Sequence, residues 1–309
     1  MKNTIFPKSL KKGDKIAIIS PAGSVEEVQL EKTLALIKSK GYKPVLGENL
    51  YTKFQNGYSY AGTEEQRIKD INWALNDSDI SAIWASRGGY GCQHLIQHLD
   101  ISEFKADPKW YIGYSDNTVI QSYLLKKGFA TIHGQTIKTS SFGATDESYD
   151  LTFDILKGKY PNYKIDSTEY NRVGETPGIL VGGNLALIYA LLGTKYSFDF
   201  QDKILFIEDI GENFYALDRM IMSLELAGVF RKIKGLIVGG MTNMGKEGEN
   251  KSYEESFDPF ANQMIADRVS NYDFPTAFNF PNGHIYDNRP LIIGSEITMK
   301  VSNKVVINF

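Results

Sequence analysis

Three short segments of the chain hold residue types that together could run acyl transfer. In Gly113-Tyr114-Ser115-Asp116-Asn117 a serine stands where a strand pattern gives way to a helix pattern. A hydroxyl on such a turn projects outward. The free N–H groups of the new helix, helped by its dipole, would stabilise an oxyanion beside it. The spacing approaches the nucleophile elbow G-x-S-x-G, with Asn117 in place of the second glycine. A plainer account, in which Ser115 and Asp116 cap the helix, fits the same five residues. The second segment, Arg87-Gly88-Gly89-Tyr90-Gly91, follows a strand pattern directly. It lacks the ending of a phosphate loop and the glycine spacing of a dinucleotide fold. It is either a turn or, through Gly88 or Gly89, a further N–H donor to the oxyanion. The third, Leu205-Phe206-Ile207-Glu208-Asp209, puts two carboxylates after an apolar strand, where burial without a partner is costly. Glu208 or Asp209 can orient an imidazole as a triad acid does, and a helix-capping role for Asp209 or Glu212 is the competing account.

The base must come from four histidines. His94 and His98 stand four apart on a helix pattern, but the glutamate of H-E-x-x-H is missing and no third metal ligand is evident. His133 follows a short strand, and His284 lies in the loop Pro281-Asn282-Gly283-His284, a normal place for a functional side chain. The residues alone do not choose between these two. Cys92, beside the glycine loop, reads as a small buried hydrophobe rather than an activated thiolate.

The elements that must position these groups come in two textures. Strand patterns at Lys15–Ser20, Lys43–Leu46, Ile80–Ser86 and Trp110–Gly113 alternate with amphipathic helix patterns carrying Leu30, Leu34 and Ile37, then Ile68, Ile71 and Leu75, then Ile120, Tyr123 and Leu124. Such alternation predicts an open, mostly parallel α/β sheet over residues 1–140, with its binding crevice at the carboxyl ends of the strands. Both glycine-bearing segments fall at such ends. From 141 to 175 polar residues dominate, only Leu151–Leu156 looks helical, and a connecting region is expected. Residues 176–309 read as β-richer: a Gly-Gly turn and helix over Gly178–Leu192, strands at Ile204–Ile207 and Gly235–Gly239, a helix over Ala216–Ala227, and closing strands at Leu291–Ile293, Glu296–Val301 and Lys304–Phe309.

A formal net charge of -3, with both signs interleaved, gives no electrostatic reason for a nucleic-acid or membrane partner. The single cysteine suits a reducing compartment. No apolar run has the length of a signal peptide core or a membrane span. A cytoplasmic protein is expected.

In order along the chain, GDKIAIISPAG, ASRGGYG, IGYSDNT, HGQ at His133, GGNL at Gly182, LFIEDIGE with DRM after it, GLIVGG, and FPNGH followed by Asn288 resemble the LD-carboxypeptidase family of serine peptidases, which also contains the microcin C immunity proteins. The resemblance runs through nearly the whole chain. It implies an α/β fold, with a Rossmann-like N-terminal domain and a smaller β-rich C-terminal domain, assembled as a homodimer. It assigns the nucleophile to Ser115, the acid to Glu208 and the base to His284, with the oxyanion met by N–H groups of Asp116 and of the Gly88-Gly89 turn. The implied substrate is a small muropeptide-like peptide, cut at the L,D-bond before a C-terminal D-alanine, with no metal and no cofactor. Arg87 and Asn184 are candidates for its polar ends, and either residue is as easily structural. Two other readings stand beside this one. A microcin-immunity type hydrolase would cleave peptidyl or aminoacyl nucleotides, with Tyr160, Tyr163 and Tyr170 as candidate base-stacking residues. A non-catalytic module would hold a nucleotide or sugar phosphate on the RGGYG loop.

Overall fold

The apolar run Lys15–Ile19 forms β1, buried almost throughout, and the turn after it leads to α1 (Glu31–Ser39), whose Thr33 and Ile37 face the interior. In the computed structural model, which describes residues 4–245, 253 and 255–309, the chain divides into two units. They are Met1–Lys159 with Arg289–Leu291, and Tyr160–Asn288 with Ile292–Phe309.

The first unit continues with β2 (Lys43–Leu46), the small hairpin β3 (Phe54–Gln55) and β4 (Ser59–Tyr60), α2 (Glu64–Asn76), β5 (Ile80–Ala85), α3 (Cys92–Leu95), β6 (Trp110–Gly113), α4 (Thr118–Lys126), β7 (Thr131–His133) and α5 (Asp146–Leu156). A reciprocal capping box starts α2: the Thr63 hydroxyl accepts from Gln66 N–H, and the Gln66 side chain accepts from Thr63 N–H. Strands β2, β1, β5, β6 and β7 are laid side by side and parallel. The late segment β13 (Leu291–Ile293) lies beyond β7. The order reverses between β1 and β5, so the loops after these two strands flank the switch point, where open α/β sheets bind ligands. There Gly23 N–H donates to Gly88 O at 3.2 Å.

The second unit contains β8 (Asn162–Asp166), β9 (Gly174–Asn184), α6 (Leu185–Leu191), β10 (Lys203–Ile210), α7 (Phe214–Leu226), β11 (Gly235–Thr242), α8 (Pro259–Arg268), β12 (Thr276–Ala277), β14 (Glu296–Val301) and β15 (Lys304–Asn308). Its sheet runs β12-β11-β10-β9-β14-β15-β8. The β12 to β9 half is parallel and the β9 to β8 half antiparallel.

Two expectations need correction. The stretch 141–175 is not a bare connection. Its first part is α5, held in the first unit by Tyr149, Phe153, Ile155 and Leu156, all fully buried. Phe153 stacks on Tyr42 at 5.9 Å and meets the edge of Trp84 at 5.5 Å. Its second part contributes β8 to the other unit's sheet. Asp146 and Asp150 on α5, and Asn162, Lys164 and Asp166 on β8, occupy the outer faces of these elements and dilute the apolar pattern. The Gly182-Gly183 pair is not a turn either; it continues β9, pairing Gly182 with Phe206 and Gly183 with Ile207. Helix α8 had no strong sequence signal, because its apolar residues do not gather on one stripe; Asp258 caps it by accepting from Ala261 N–H, and Pro259 starts it.

The burial of Phe153 gives a measurable consequence. Phe153→Ala should cost about 3–5 kcal/mol of stability in urea unfolding followed by tryptophan fluorescence. Val173→Ala, at a side chain 74% exposed, should cost under about 0.5 kcal/mol. Equal, small losses would return α5 to the status of a loose connection.

Candidate active site

In the first unit every other residue from Lys109 to Leu124 is buried, while Ser115 keeps access to solvent. The chain leaves β6, turns sharply, and enters a short 3-10 turn over Ser115–Asn117 that runs on into α4. Ser115 takes φ of +62°, a left-handed conformation that costs a non-glycine residue on the order of 1–3 kcal/mol. Asn117, the departure from the glycine elbow, holds this turn together. Its Oδ1 accepts from the Tyr111 hydroxyl at 2.6 Å, and its Nδ2 donates to Tyr114 O at 3.0 Å. Gly113 makes room for it, since a Cβ there would lie 2.8 Å from Asn117 Cγ. Gly88 has a similar reason: its Cβ would lie 2.8 Å from Ser115 Cβ and 3.1 Å from Oγ. The RGGYG loop therefore lies backbone-first against the serine. Arg87, next to it, is anchored by Nη1 to Ser24 O at 3.0 Å.

Cys92 is fully buried beside Asp116, and burial first, then the Asp116 charge, push its thiol well above the ordinary range. It is a packed hydrophobe, not a thiolate. His133 is buried too, with Nδ1 3.0 Å from Gln121 Oε1, an amide oxygen. Helix α3 ends at Leu95, so His94 and His98 share no helical face. Among the described residues, no group of three or more His, Cys, Asp or Glu is disposed to hold a metal ion.

In the second unit, Glu208 and Asp209 are adjacent on β10 and so point to opposite faces. Glu208 is fully buried and its Oε2 lies 2.8 Å from His284 Nδ1. A carboxylate only accepts, so the proton of this bond resides on Nδ1, and Nε2 is the atom left to accept another. Asp209 turns the other way and serves the start of α6, accepting from Asn184 Nδ2, from Ala186 N–H and from Ile210 N–H, each at 2.9 Å. Asn184 caps the same helix by accepting from Leu187 N–H at 3.3 Å. Its amide is thus engaged at both ends within the unit.

Sequence reading gave no role to the residues that bring the His284 loop against β10. Ile207 pairs with Val238 but Asp209 with Met241, so the register of β11 slips by one residue beside Glu208. Gly239 and Gly240 fill that bulge. A Cβ on Gly240 would lie 2.8 Å from Ile285 Cγ2, and Gly240 N–H donates to Asn282 O at 2.9 Å. Thr242 hydroxyl donates to His284 O at 2.8 Å, and Gly283 N–H donates to Asn288 Oδ1 at 3.2 Å. Gly283 itself has φ of +118°, and a Cβ on it would lie 2.8 Å from Glu208 Oε2. The available signal was a Gly-Gly pair closing the apolar strand pattern that begins at Gly235.

Burial, then the charge of Glu208, push the Asp209 carboxyl from 3.8 up to about 7. Between these values the folded chain binds more protons than the unfolded chain, so this group removes stability as pH rises through the window. The slope is at most about 1.4 kcal/mol per pH unit. In Asp209→Asn that slope disappears. The wild-type minus variant difference in unfolding free energy, from urea midpoints at successive pH values, should fall between pH 4 and 7 and then level off. A difference constant across the window would refute the assignment.

A family model for the LD-carboxypeptidase N-terminal domain matches residues 16–134, and one for the LD-carboxypeptidase C-terminal domain matches residues 177–299. The probable murein peptide carboxypeptidase of Bacillus subtilis is 30% identical over 97% of this chain and 93% of its own length. The crystal structure of muramoyltetrapeptide carboxypeptidase from Oxalobacter formigenes superposes with a TM-score of 0.82 at 27% identity, over 95% of this chain and 97% of that one. The microcin C7 self immunity protein in complex with aspartyl sulfamoyl adenosine shares the fold, with a TM-score of 0.82 at 22% identity over 98% of both chains. With both domain types matched in order and similarity extending nearly end to end, the chain belongs to the LD-carboxypeptidase family and is a serine-type carboxypeptidase.

Proposed function

We propose that this enzyme removes the C-terminal D-alanine from cell-wall tetrapeptides, with Ser115 as nucleophile, His284 as base and Glu208 as the acid that orients it. The observation that carries the reading is the imidazole held through Nδ1 on a fully buried carboxylate, which leaves Nε2 to take a proton. In this reading Nε2 accepts the Ser115 proton as Oγ attacks the carbonyl of the L-centred residue. Glu208 stabilises the imidazolium that forms. Backbone N–H groups of Asp116 and of the Gly88-Gly89 turn meet the oxyanion, each worth on the order of 3 kcal/mol in the transition state. His284 then protonates the leaving amine of D-alanine, and water, deprotonated by the same imidazole, releases the acyl group.

Arg87, with its guanidinium anchored on Ser24, is suited to the substrate's terminal carboxylate. Asn184 acts through the start of α6 rather than by contact. The enzyme works in this reading as a homodimer in the cytoplasm. Among the described residues no helix is long and apolar enough to cross a membrane. Nucleotide-linked substrates fit less well, because Tyr163 packs on Phe280 and Phe309 and Tyr170 on Phe278. Of the three tyrosines Tyr160 is the most exposed, at 44%.

Released D-alanine, measured with a tetrapeptide ending in that residue, tests the proposal. Ser115→Ala and His284→Ala should each lower kcat/KM by at least about 10³-fold, and the double variant should be no worse than either alone. Ser115→Ala cleaving at the wild-type rate would overturn the catalytic reading. Cleavage of a peptidyl adenylate but not the tetrapeptide would overturn the substrate.

A further inference from the structure

One peptide unit in the first domain has opposite charges at its two ends. Arg67, on α2 and only 2% exposed, donates from Nη1 to Gly91 O at 3.0 Å and to Pro21 O at 2.9 Å. Cys92 N–H donates to Asp116 Oδ2 at 2.8 Å, and Asp116 is 1% exposed. Gly91 C=O and Cys92 N–H belong to the same planar amide. Its oxygen therefore faces a buried cation and its hydrogen a buried anion, the favourable arrangement of a peptide dipole. Rotating that amide by half a turn would set C=O against the carboxylate and N–H against the guanidinium. Neither charge could be removed alone without stranding the other in a dry site.

The surroundings support the same geometry. The Arg67 guanidinium lies over the Tyr60 ring, 5.0 Å from its centroid. Gly91 has φ of +132°, and a Cβ on it would stand 2.5 Å from Arg67 Nη1. Two pieces of the proposed oxyanion site hang from this amide. It closes the RGGYG loop, whose Gly88 lies against Ser115, and it is bound by the side chain of Asp116, the residue after Ser115.

We propose that Arg67 and the Asp116 carboxylate are positioning residues that clamp the Gly91–Cys92 amide between them, fixing the RGGYG loop against the Ser115 turn so that the backbone N–H donors stay aimed at the developing oxyanion. This rests on Ser115 being the nucleophile. It gives Asp116 two separate duties: its N–H faces the reaction and its carboxylate holds the loop. Oxyanion contacts tighten only in the transition state, so loosening the clamp lowers kcat rather than raising KM.

The test uses the full chain and D-alanine release from a tetrapeptide, with urea midpoints recorded for each variant. Arg67→Gln and the isosteric Asp116→Asn should each lower kcat by about 10²-fold, as loss of one oxyanion donor does, with KM within about threefold. Because both act on one amide, the double variant should lose far less than the product of the two single losses. Arg67→Lys, which keeps the charge, should recover part of kcat. Wild-type kcat in a folded Arg67→Gln or Asp116→Asn, or losses that multiply as for independent sites, would overturn the clamp. Should Arg67→Gln fail to fold, Asp116→Asn decides alone by the same kcat criterion. Ser115→Ala, assayed alongside, separates the two failures. If it remains active the nucleophile reading falls. If it is inactive while the Arg67 and Asp116 variants keep wild-type kcat, only the clamp falls.

Discussion

Burying a carboxylate out of reach of water costs several kcal/mol unless donors meet it, and in the second unit Glu208 is met by the Nδ1–H of His284 at 2.8 Å. For that bond to form, a loop more than seventy residues downstream of β10 must lie directly on the strand. Side chains in the way would prevent it. The bulge glycines Gly239 and Gly240 let the loop approach, Gly283 leaves room for the Glu208 side chain, and Thr242 and Asn288 fix the loop backbone on either side. The bond also decides the imidazole's tautomer, and with it which nitrogen can do base chemistry. Much of the local structure of the second unit can be understood as what this one hydrogen bond requires.

The first unit solves a different problem. Here a serine hydroxyl is presented on a strained residue, Ser115, in front of a buried turn. The left-handed φ of Ser115 is not a low-energy choice, so the turn has to be over-determined by its neighbours. Tyr111, Asn117 and the Gly113 space supply that on the strand side. On the loop side, buried charges of opposite sign grip one amide from both directions. A dry interior makes each of these polar contacts stronger and each orphan more costly. The placement of the RGGYG loop at the β1/β5 switch point then follows from the sheet, whose strand order reverses there, with the Ser115 turn at the end of the next strand, β6.

Much of this was legible in the residues. The strand and helix alternation of the first unit gave its parallel sheet, and GYSDN and RGGYG were read at the strand ends where they stand. The choice between Glu208 and Asp209 was not legible. In a continuously apolar strand such as β10 no alternation marks the faces, so only the fold shows that one points to His284 and the other to α6. Asn117 looked like a defect in a motif because its role depends on Tyr111, six residues back on the strand. Arg67 stands inside a helix pattern whose only readable residues are the apolar Ile68, Ile71 and Leu75. Nothing in a single sequence marks an arginine as buried when its partners are backbone oxygens at 21 and 91. The stretch 141–175 misled for the opposite reason: its outward polar face hid the few large residues that dock it.

A common thread joins the misses. The information lay in atoms that are missing rather than present. Gly88, Gly91, Gly240 and Gly283 each stand where a side chain or backbone from elsewhere occupies the volume a Cβ would need. From sequence a glycine suggests a bend, because local conformational freedom is what a window of neighbours can reveal. Close approach is a relation between distant segments, and beyond the alternative weighed for Gly88 and Gly89 a window of neighbours does not show which segments will meet. Glycines that end apolar strands in this chain are therefore better read as docking surfaces than as turns. The same reasoning explains why substitutions at such positions should act at a distance, through the side chain displaced, rather than through a local bend.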